Sequence, residues 1–327
     1  MNSSISSFRR LSFAYAAAFV GVVSALVGAS EWLVRSEVHP EDTLQKHITL
    51  FENTQSPYVA FGDSHVARGF DAQAPVVNLS YPSENVQKMA WKAARYLENA
   101  ADVKTVLIQA DPHLFSPYRM ETGLQDYPHA FDRDARSIML SLSIRYRPQL
   151  LAFWQAFARG GGRLTSQIET TPQGALLSPG NLASWRPSDI DKFTKQRLTM
   201  HVPDMQAASL RDVELYRAMV MRFVEAGADV CLVSFPTAPV YRDRFDALDN
   251  QQKRQWEKAM SVFTELAKHS RVRFVNDMAR FDDPALFRDP DHLNKEGAIQ
   301  YGPILQSACF NSIKQHDIIA TTSSPAL

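Results

Sequence analysis

The chain carries no net charge: its 35 basic and 35 acidic side chains cancel, and no basic cluster stands out along its 327 residues. That balance removes the electrostatic footprint of a nucleic-acid-binding protein, so nucleic acid is not an expected partner. Cysteine is almost absent. Cys231 and Cys309 are too few for a disulfide framework and lack the spacing of metal ligands. They read as small buried apolar residues, with pairing in an oxidising compartment left open, because spacing along the chain says nothing of distance in space. Internal repeats are missing. So are the paired Asn-His and late His-x-His ligands of metallophosphoesterases. No cofactor and no resident metal is expected, and nothing resembles a long apolar tunnel for an acyl chain. What remains is ordinary globular material, 45% hydrophobic and 21% charged, able to bury a sizeable core in one large domain or two small ones.

The N-terminus departs from that. Arg9 and Arg10 precede an uncharged run of 20 residues from Leu11 to Ser30, about enough to cross the ~30 Å hydrocarbon core as a helix. Arginines before the run predict a cytoplasmic N-terminus and a body outside the membrane. A cleavable signal peptide is the rival, since "VGA" before Ser30 has small residues where a cleavage site needs them. The length of the run and Trp32 at its far end favour an uncleaved anchor. A buried helix of a soluble protein suits an all-round apolar segment at this position poorly.

Beyond a polar connector at 35–57, short apolar runs alternate with amphipathic segments. The runs are "YVAF" (58–61), "PVVNL" (75–79), "KTVLIQA" (104–110), "DVCLVSF" (229–235) and "VRFVND" (272–277). Helices are expected at 83–100, 204–227, 246–269 and 295–314. Strands apolar on both sides, alternating with helices, predict a mainly parallel α/β sheet. Residues 115–201 break the rhythm with an amphipathic helix candidate at 131–158, then "RGGGR" and a Pro/Ser-rich span. That stretch reads as an inserted cap, and the tail as flexible.

In open α/β sheets ligands bind outside the carboxyl ends of the strands. The first strand exits into Gly62-Asp63-Ser64-His65, the second into Asn78-Leu79-Ser80, and the third into Asp111-Pro112-His113. The last is followed by "FRDPDHLNKEGA". A serine at a strand-to-helix turn stands free of the sheet beside backbone N–H groups that can hold an oxyanion. It needs a histidine base oriented by a carboxylate, and Asp289 with His292 supplies that pair. A second Asp-x-x-His, Asp126 with His129, sits inside the expected cap. Position after the last strand favours Asp289 and His292. An N-cap role for Ser64 is the bland alternative.

The "GDSH" start, "NLSYP" after the second strand and "DPDHLNKEGA" before the final helix resemble the SGNH (GDSL-like) hydrolase and acyltransferase superfamily over most of 58–314. The resemblance implies a flavodoxin-like three-layer α/β/α sandwich, with Ser64 as nucleophile, Asp289 as orienting acid and His292 as base. The oxyanion hole would draw on Ser64 and on Ser80, where the family's second-block glycine falls. The family's third-block asparagine is replaced by Asp111. A carboxylate there repels an oxyanion unless it is protonated, turned away or given another role, and His113 is a substitute donor. With one N-terminal anchor, the architecture is similar to membrane-tethered proteins of cell-surface O-acylation, such as those of alginate acetylation and teichoic-acid D-alanylation. These work beside multi-span membrane O-acyltransferases.

The sequence thus predicts a cytoplasmic N-terminus (1–10), a transmembrane anchor (11–34), a connector (35–57), a catalytic domain (58–314, with the cap at 115–201) and a tail (315–327). It predicts a bacterial inner-membrane protein with a periplasmic body. The expected reaction is O-acetyl transfer onto a cell-surface polysaccharide through an acyl-serine, with an esterase of the same mechanism as the alternative. Two readings from other classes stand beside it. Asp63, His65, Asp111, His113, Asp289 and His292 could line the metal site of a hydrolase, or the chain could be an inactive glycan- or partner-binding scaffold. His65 is expected to face away from the chemistry, Arg68 and Arg119 to be solvated, and the aromatics of "LLAFWQAF" (150–157) to pack in a core.

Overall fold

The computed structural model describes residues 3–33, 43–100, 102–120, 168–205 and 207–310. The chain divides into two compact units, residues 1–46 with 132–166, and residues 47–131 with 167–327. In the first unit, α1 (Ser3–Leu33) contains a stretch, Phe13–Trp32, of mean hydropathy 1.8 that is long and apolar enough to cross a membrane. Its large side chains stand in the open, with Phe13 77% and Trp32 67% exposed. An amphipathic helix of a globular core hides one stripe, whereas this helix is apolar all round. The next helix, α2 (Thr43–Asn53), runs on into the second unit and buries His47, Ile48 and Phe51.

The second unit begins with β1 (Tyr58–Phe61), α3 (Ser64–Gly69), β2 (Val77–Asn78), α4 (Val86–Asn99) and β3 (Thr105–Gln109). A 3-10 turn at Pro112–Phe115 leads into the single turn α5 (Pro117–Met120). After the undescribed stretch come a hairpin of β4 (Glu169–Thr170) and β5 (Leu176–Leu177), then α6 (Pro187–His201) and α7 (Ala207–Glu225). The chain continues through β6 (Asp229–Ser234), α8 (Pro239–Asp243), α9 (Asn250–Leu266) and β7 (Val272–Asn276). It closes with the antiparallel pair β8 (Phe287–Asp289) and β9 (His292–Leu293), and α10 (Lys295–Cys309).

Five strands form one sheet in the order β2-β1-β3-β6-β7, each pairing parallel. Parallel sheets need cover on both faces, and the side chains show it. Tyr58, Ala60, Leu107, Cys231 and Val233 share a cluster with Tyr301, Leu305 and Cys309 of α10. Phe61, the next alternation along β1, instead sets its ring 5.9 Å from Tyr96 of α4 and 5.7 Å from Phe223 of α7. Each such fully buried aromatic contributes roughly 2–3 kcal/mol. The order runs outward from β1 in two directions, so β1 and β3 flank the point where it reverses.

The structure corrects the reading of the cysteines. Cys231 of β6 and Cys309 at the end of α10 are buried, but they are joined in a disulfide across 78 residues. In the chain-entropy picture such a loop stabilises the fold by about 4.5 kcal/mol. The second strand is shorter than 75–79, and the helix expected at 204–227 is α7, after which Gly227 turns the chain at φ +87°. α6 lies in the Pro/Ser-rich part of the expected cap. Its proline, Pro187, occupies the first turn, where a missing N–H costs nothing. The helix candidate at 131–158, the Gly-rich link, Asp126, His129, the aromatics of 150–157 and the tail lie outside the described residues.

Candidate active site

β1 ends at Phe61, and the chain turns into α3 within two residues. A Cβ on Gly62 would collide with Val66 and the Gln109 side chain, so glycine is what lets the turn close this tightly. The N–H of Asp63 donates to Gln109 Oε1 at 2.6 Å, and the Asp63 carboxylate caps α3 by accepting from the His65 N–H at 2.8 Å. Capping therefore falls to Asp63. Ser64 is left as the first helical residue, 9% exposed, with a backbone N–H that has no acceptor inside the helix.

The Ser64 hydroxyl is met from the far end of the chain. His292 Nε2 lies 2.8 Å from Ser64 Oγ, and His292 Nδ1 lies 2.8 Å from Asp289 Oδ1. Asp289 also accepts the His292 backbone N–H at 3.1 Å. The β8–β9 turn thus holds the carboxylate against both the ring and the main chain of the same residue. With Nδ1 donating to Asp289, Nε2 is free to accept the serine proton. The three groups form an unbroken line from carboxylate to hydroxyl, and all three are buried.

Around this line lies a cluster that the motifs do not announce. His65 stands 4.8 Å ring to ring from His292, His113 stands 4.6 Å from His65, and His201 stacks on His113 at 4.7 Å. His65 Nδ1 is 3.0 Å from Asp111 Oδ2, and its Nε2 is 3.6 Å from Asp291 Oδ2. Burial alone would lower His65, but the carboxylates of Asp111 and Asp291 outweigh it and raise its pKa to about 10. It is an imidazolium at neutral pH. Burial likewise works against ionised Asp63, yet Arg119 and His113 hold it well below the usual carboxylate range. His113 and His201 are both pushed down, chiefly by burial, and stay neutral.

The remaining expected residues are placed by their contacts. The Ser80 N–H donates to Asn78 Oδ1 at 3.1 Å, and its hydroxyl is turned to the Ala60 carbonyl, so its backbone donor is already taken. Asp111 is engaged elsewhere. Besides His65, it accepts from Gln109 Nε2 at 2.7 Å and from the Phe235 N–H at 3.0 Å. His113 Nε2 is bound to Asp63 Oδ2 at 2.9 Å. Of the four residues expected to hold an oxyanion, Ser80 has its backbone donor committed, whereas the Ser64 N–H, at the first helical position, has no acceptor inside its helix. Three readings are corrected. His65 faces the chemistry. Arg119 is buried and paired with Asp63, and Arg68 is half-buried rather than solvated.

Among the described residues, Asp63, His65 and His113, and likewise His65, Asp291 and His292, are spaced closely enough to hold a metal ion. The donor chemistry does not suit one. In the first group the Arg119 guanidinium already neutralises Asp63. In the second, both nitrogens of His292 are engaged by Ser64 and Asp289.

Comparison with known proteins leaves this geometry to stand by itself. No family model matches the chain, and no curated protein matches it. Three residues near the site escaped the sequence reading. Asp291 sits inside the "DPDH" stretch, where a second acid beside the first was a visible signal. Arg197 and His201 lie in the span taken for a cap, and nothing in their local pattern marks them.

Proposed function

We propose that the protein is a serine acyl-ester enzyme of SGNH type. The observation that carries this reading is the Asp289–His292–Ser64 line, with 2.8 Å at each link. Ser64 Oγ attacks the ester carbonyl while His292 Nε2 takes its proton. The alkoxide that leaves receives that proton from His292, and the acyl group stays on Ser64. A second hydroxyl then repeats the sequence in reverse, with His292 again as base. Asp289 holds the ring in the tautomer this needs, and the Ser64 N–H faces the developing oxyanion.

The strand order, with Ser64 leaving β1 and Asp111 leaving β3 at the reversal point, supports a flavodoxin-like three-layer α/β/α sandwich that places its site by the usual rule for such sheets. The apolar α1 supports a single membrane anchor, and the Cys231–Cys309 bond supports an oxidising space. Together they favour a body on the outer side of a bacterial inner membrane. There the second hydroxyl is that of a cell-surface polysaccharide, and the reaction is O-acetyl transfer beside a multi-span membrane O-acyltransferase.

A fluorophosphonate probe should label the full-length protein, with or without chelator, and should not label Ser64→Ala. Labelling of that variant at the same site would overturn the reading, and loss of labelling with chelator would return it to metal chemistry. Deleting the protein should lower the ester content of the surface polysaccharide. A rise would assign hydrolysis, with water as the second nucleophile. A reporter active only outside the cytoplasm, fused after Leu327, should be active. Silence from a stable fusion would place the body inside.

A further inference from the structure

Four carboxylates are buried around Ser64, and three of them are tied down by hydrogen bonds. Asp63 accepts from the His65 N–H and is bound by His113 and Arg119. Asp111 accepts from Gln109 and from the Phe235 N–H. Asp289 is bound to the ring and the main-chain N–H of His292. Asp291 differs. It is 1% exposed, and neither of its carboxylate oxygens has a hydrogen-bond partner among the described residues. Only its main chain is held, by an N–H that donates to Asp289 Oδ1 at 3.3 Å. A buried carboxylate without hydrogen bonds is costly to keep, so its place calls for a reason other than architecture.

What surrounds Asp291 is positive charge, either present or able to form. Its Oδ2 lies 3.5 Å from His292 Nδ1, 3.6 Å from His65 Nε2 and 3.8 Å from His201 Nε2, while Arg197 Nε lies 3.5 Å from its Oδ1. These contacts are too long for hydrogen bonds and short enough for strong charge interaction. Burial opposes the ionised form, yet His292, His65, His201 and Arg197 hold Asp291 well below the usual carboxylate range. His65 and Arg197 are standing cations, and His201 is neutral. His292 becomes a cation when it takes the Ser64 proton. Its other charged neighbours are the His65 ring at 4.8 Å and Asp289, whose carboxylate Arg288 approaches to 3.8 Å and Arg68 influences from α3.

We propose that Asp291 is a positioning residue of the reaction: a second carboxylate that stabilises the His292 imidazolium formed when Ser64 gives up its proton, balanced by His65 and Arg197. The proposal rests on the serine-enzyme reading. As the Ser64 O–H bond breaks and its oxygen bonds the acyl carbon, the proton passes to His292 Nε2, and Asp291 takes none. Asp289 fixes the tautomer through a hydrogen bond. Asp291 adds charge alone, so its effect grows as the proton moves. His65 carries the opposite sign beside the same ring, which makes Asp291 and His65 a signed pair.

The test is kcat/KM for p-nitrophenyl acetate against pH, on the full-length protein in detergent micelles. Losing an anion beside the base favours its neutral form, and losing a cation favours the imidazolium. Asp291→Asn should therefore move the ascending limb to lower pH by roughly one unit, with kcat falling about tenfold and KM nearly unchanged. His65→Gln and Arg197→Gln should move the limb to higher pH. Arg197 is 24% exposed, so its variant tests the sign even where Asp291→Asn does not fold. A structural role would lower activity and leave the limb in place. An unmoved limb, or one displaced the same way in all three variants, would overturn the proposal. The His292 ring also reports without turnover, through the NMR titration of its Cε1–H in histidine-labelled protein, assigned by its absence in His292→Ala. Titration shifts of the expected signs in a protein whose Ser64 no fluorophosphonate labels would sink the serine reading and leave the coupling of Asp291 to His292 standing. Labelled Ser64 with an unmoved titration would do the opposite.

Discussion

Two fully buried charge clusters lie in the second unit, and they behave differently. One surrounds Lys92, which is 0% exposed. Its ammonium pairs with Glu84 at 2.7 Å, donates to the Leu79 carbonyl and lies 3.2 Å from His47 Nε2. The other surrounds Ser64. Both sit beyond strand exits, and both cost desolvation that their pairing offsets. In the Lys92 cluster each group holds the chain after β2 against α4 and α2, and burial together with the Lys92 charge keeps His47 neutral. In the Ser64 cluster a histidine is shared between a carboxylate and the hydroxyl of Ser64, which is 9% exposed. Buried charge alone marks architecture. A buried acid and base aimed at one hydroxyl are what the proposed chemistry rests on.

The comparison breaks first at His292. His292→Ala should lower turnover of an activated acetyl ester by about four orders of magnitude while the unfolding midpoint stays near that of the parent. A variant that keeps its turnover would reduce the Ser64 line to another structural cluster. Lys92→Met should do the reverse. Stranding Glu84 without its cation should cost about 3–5 kcal/mol in denaturant unfolding, with turnover per folded molecule retained. If turnover falls as it does for His292→Ala, the two clusters are not separable.

A smaller effect sharpens the boundary between them. Asp111→Asn keeps the shape but removes a carboxylate that raises His65. A raised histidine pKa contributes stability that is fully present below its ordinary value near 6.5 and is lost as pH rises through about 10. The parent should therefore be more stable than Asp111→Asn near pH 6, by about 1–3 kcal/mol for one charged contact, and the gap should close between pH 6.5 and 10. A gap independent of pH in urea titrations would mean that His65 is not the group Asp111 serves.

How far the sequence could be read follows from the range of each signal. Strand runs such as "YVAF" announce themselves because both sides are buried, and Ser64, Asp289 and His292 stand at strand exits where few residue types are free to be polar. The inward turn of His65 could not be read, because it depends on Asp111 and Asp291, which reach it from other loops. Arg119 and His201 enter from a span with no periodic pattern. The cysteines show the same limit. Their separation of 78 residues holds no hint that β6 and the last turn of α10 meet.

The sequence separation of 228 between Ser64 and His292 also fixes an order of events. A ribosome delivers the hydroxyl early and its base almost last, after β2, β3, β6 and β7 have all emerged. A chain still being made, or still being threaded across a membrane, holds an unactivated alcohol no more reactive than any other serine. Activation waits for the β8–β9 turn to dock beside α3. On the serine-enzyme reading proposed above, ester cleavage therefore begins only once the C-terminal strand pair and helix have reached their places.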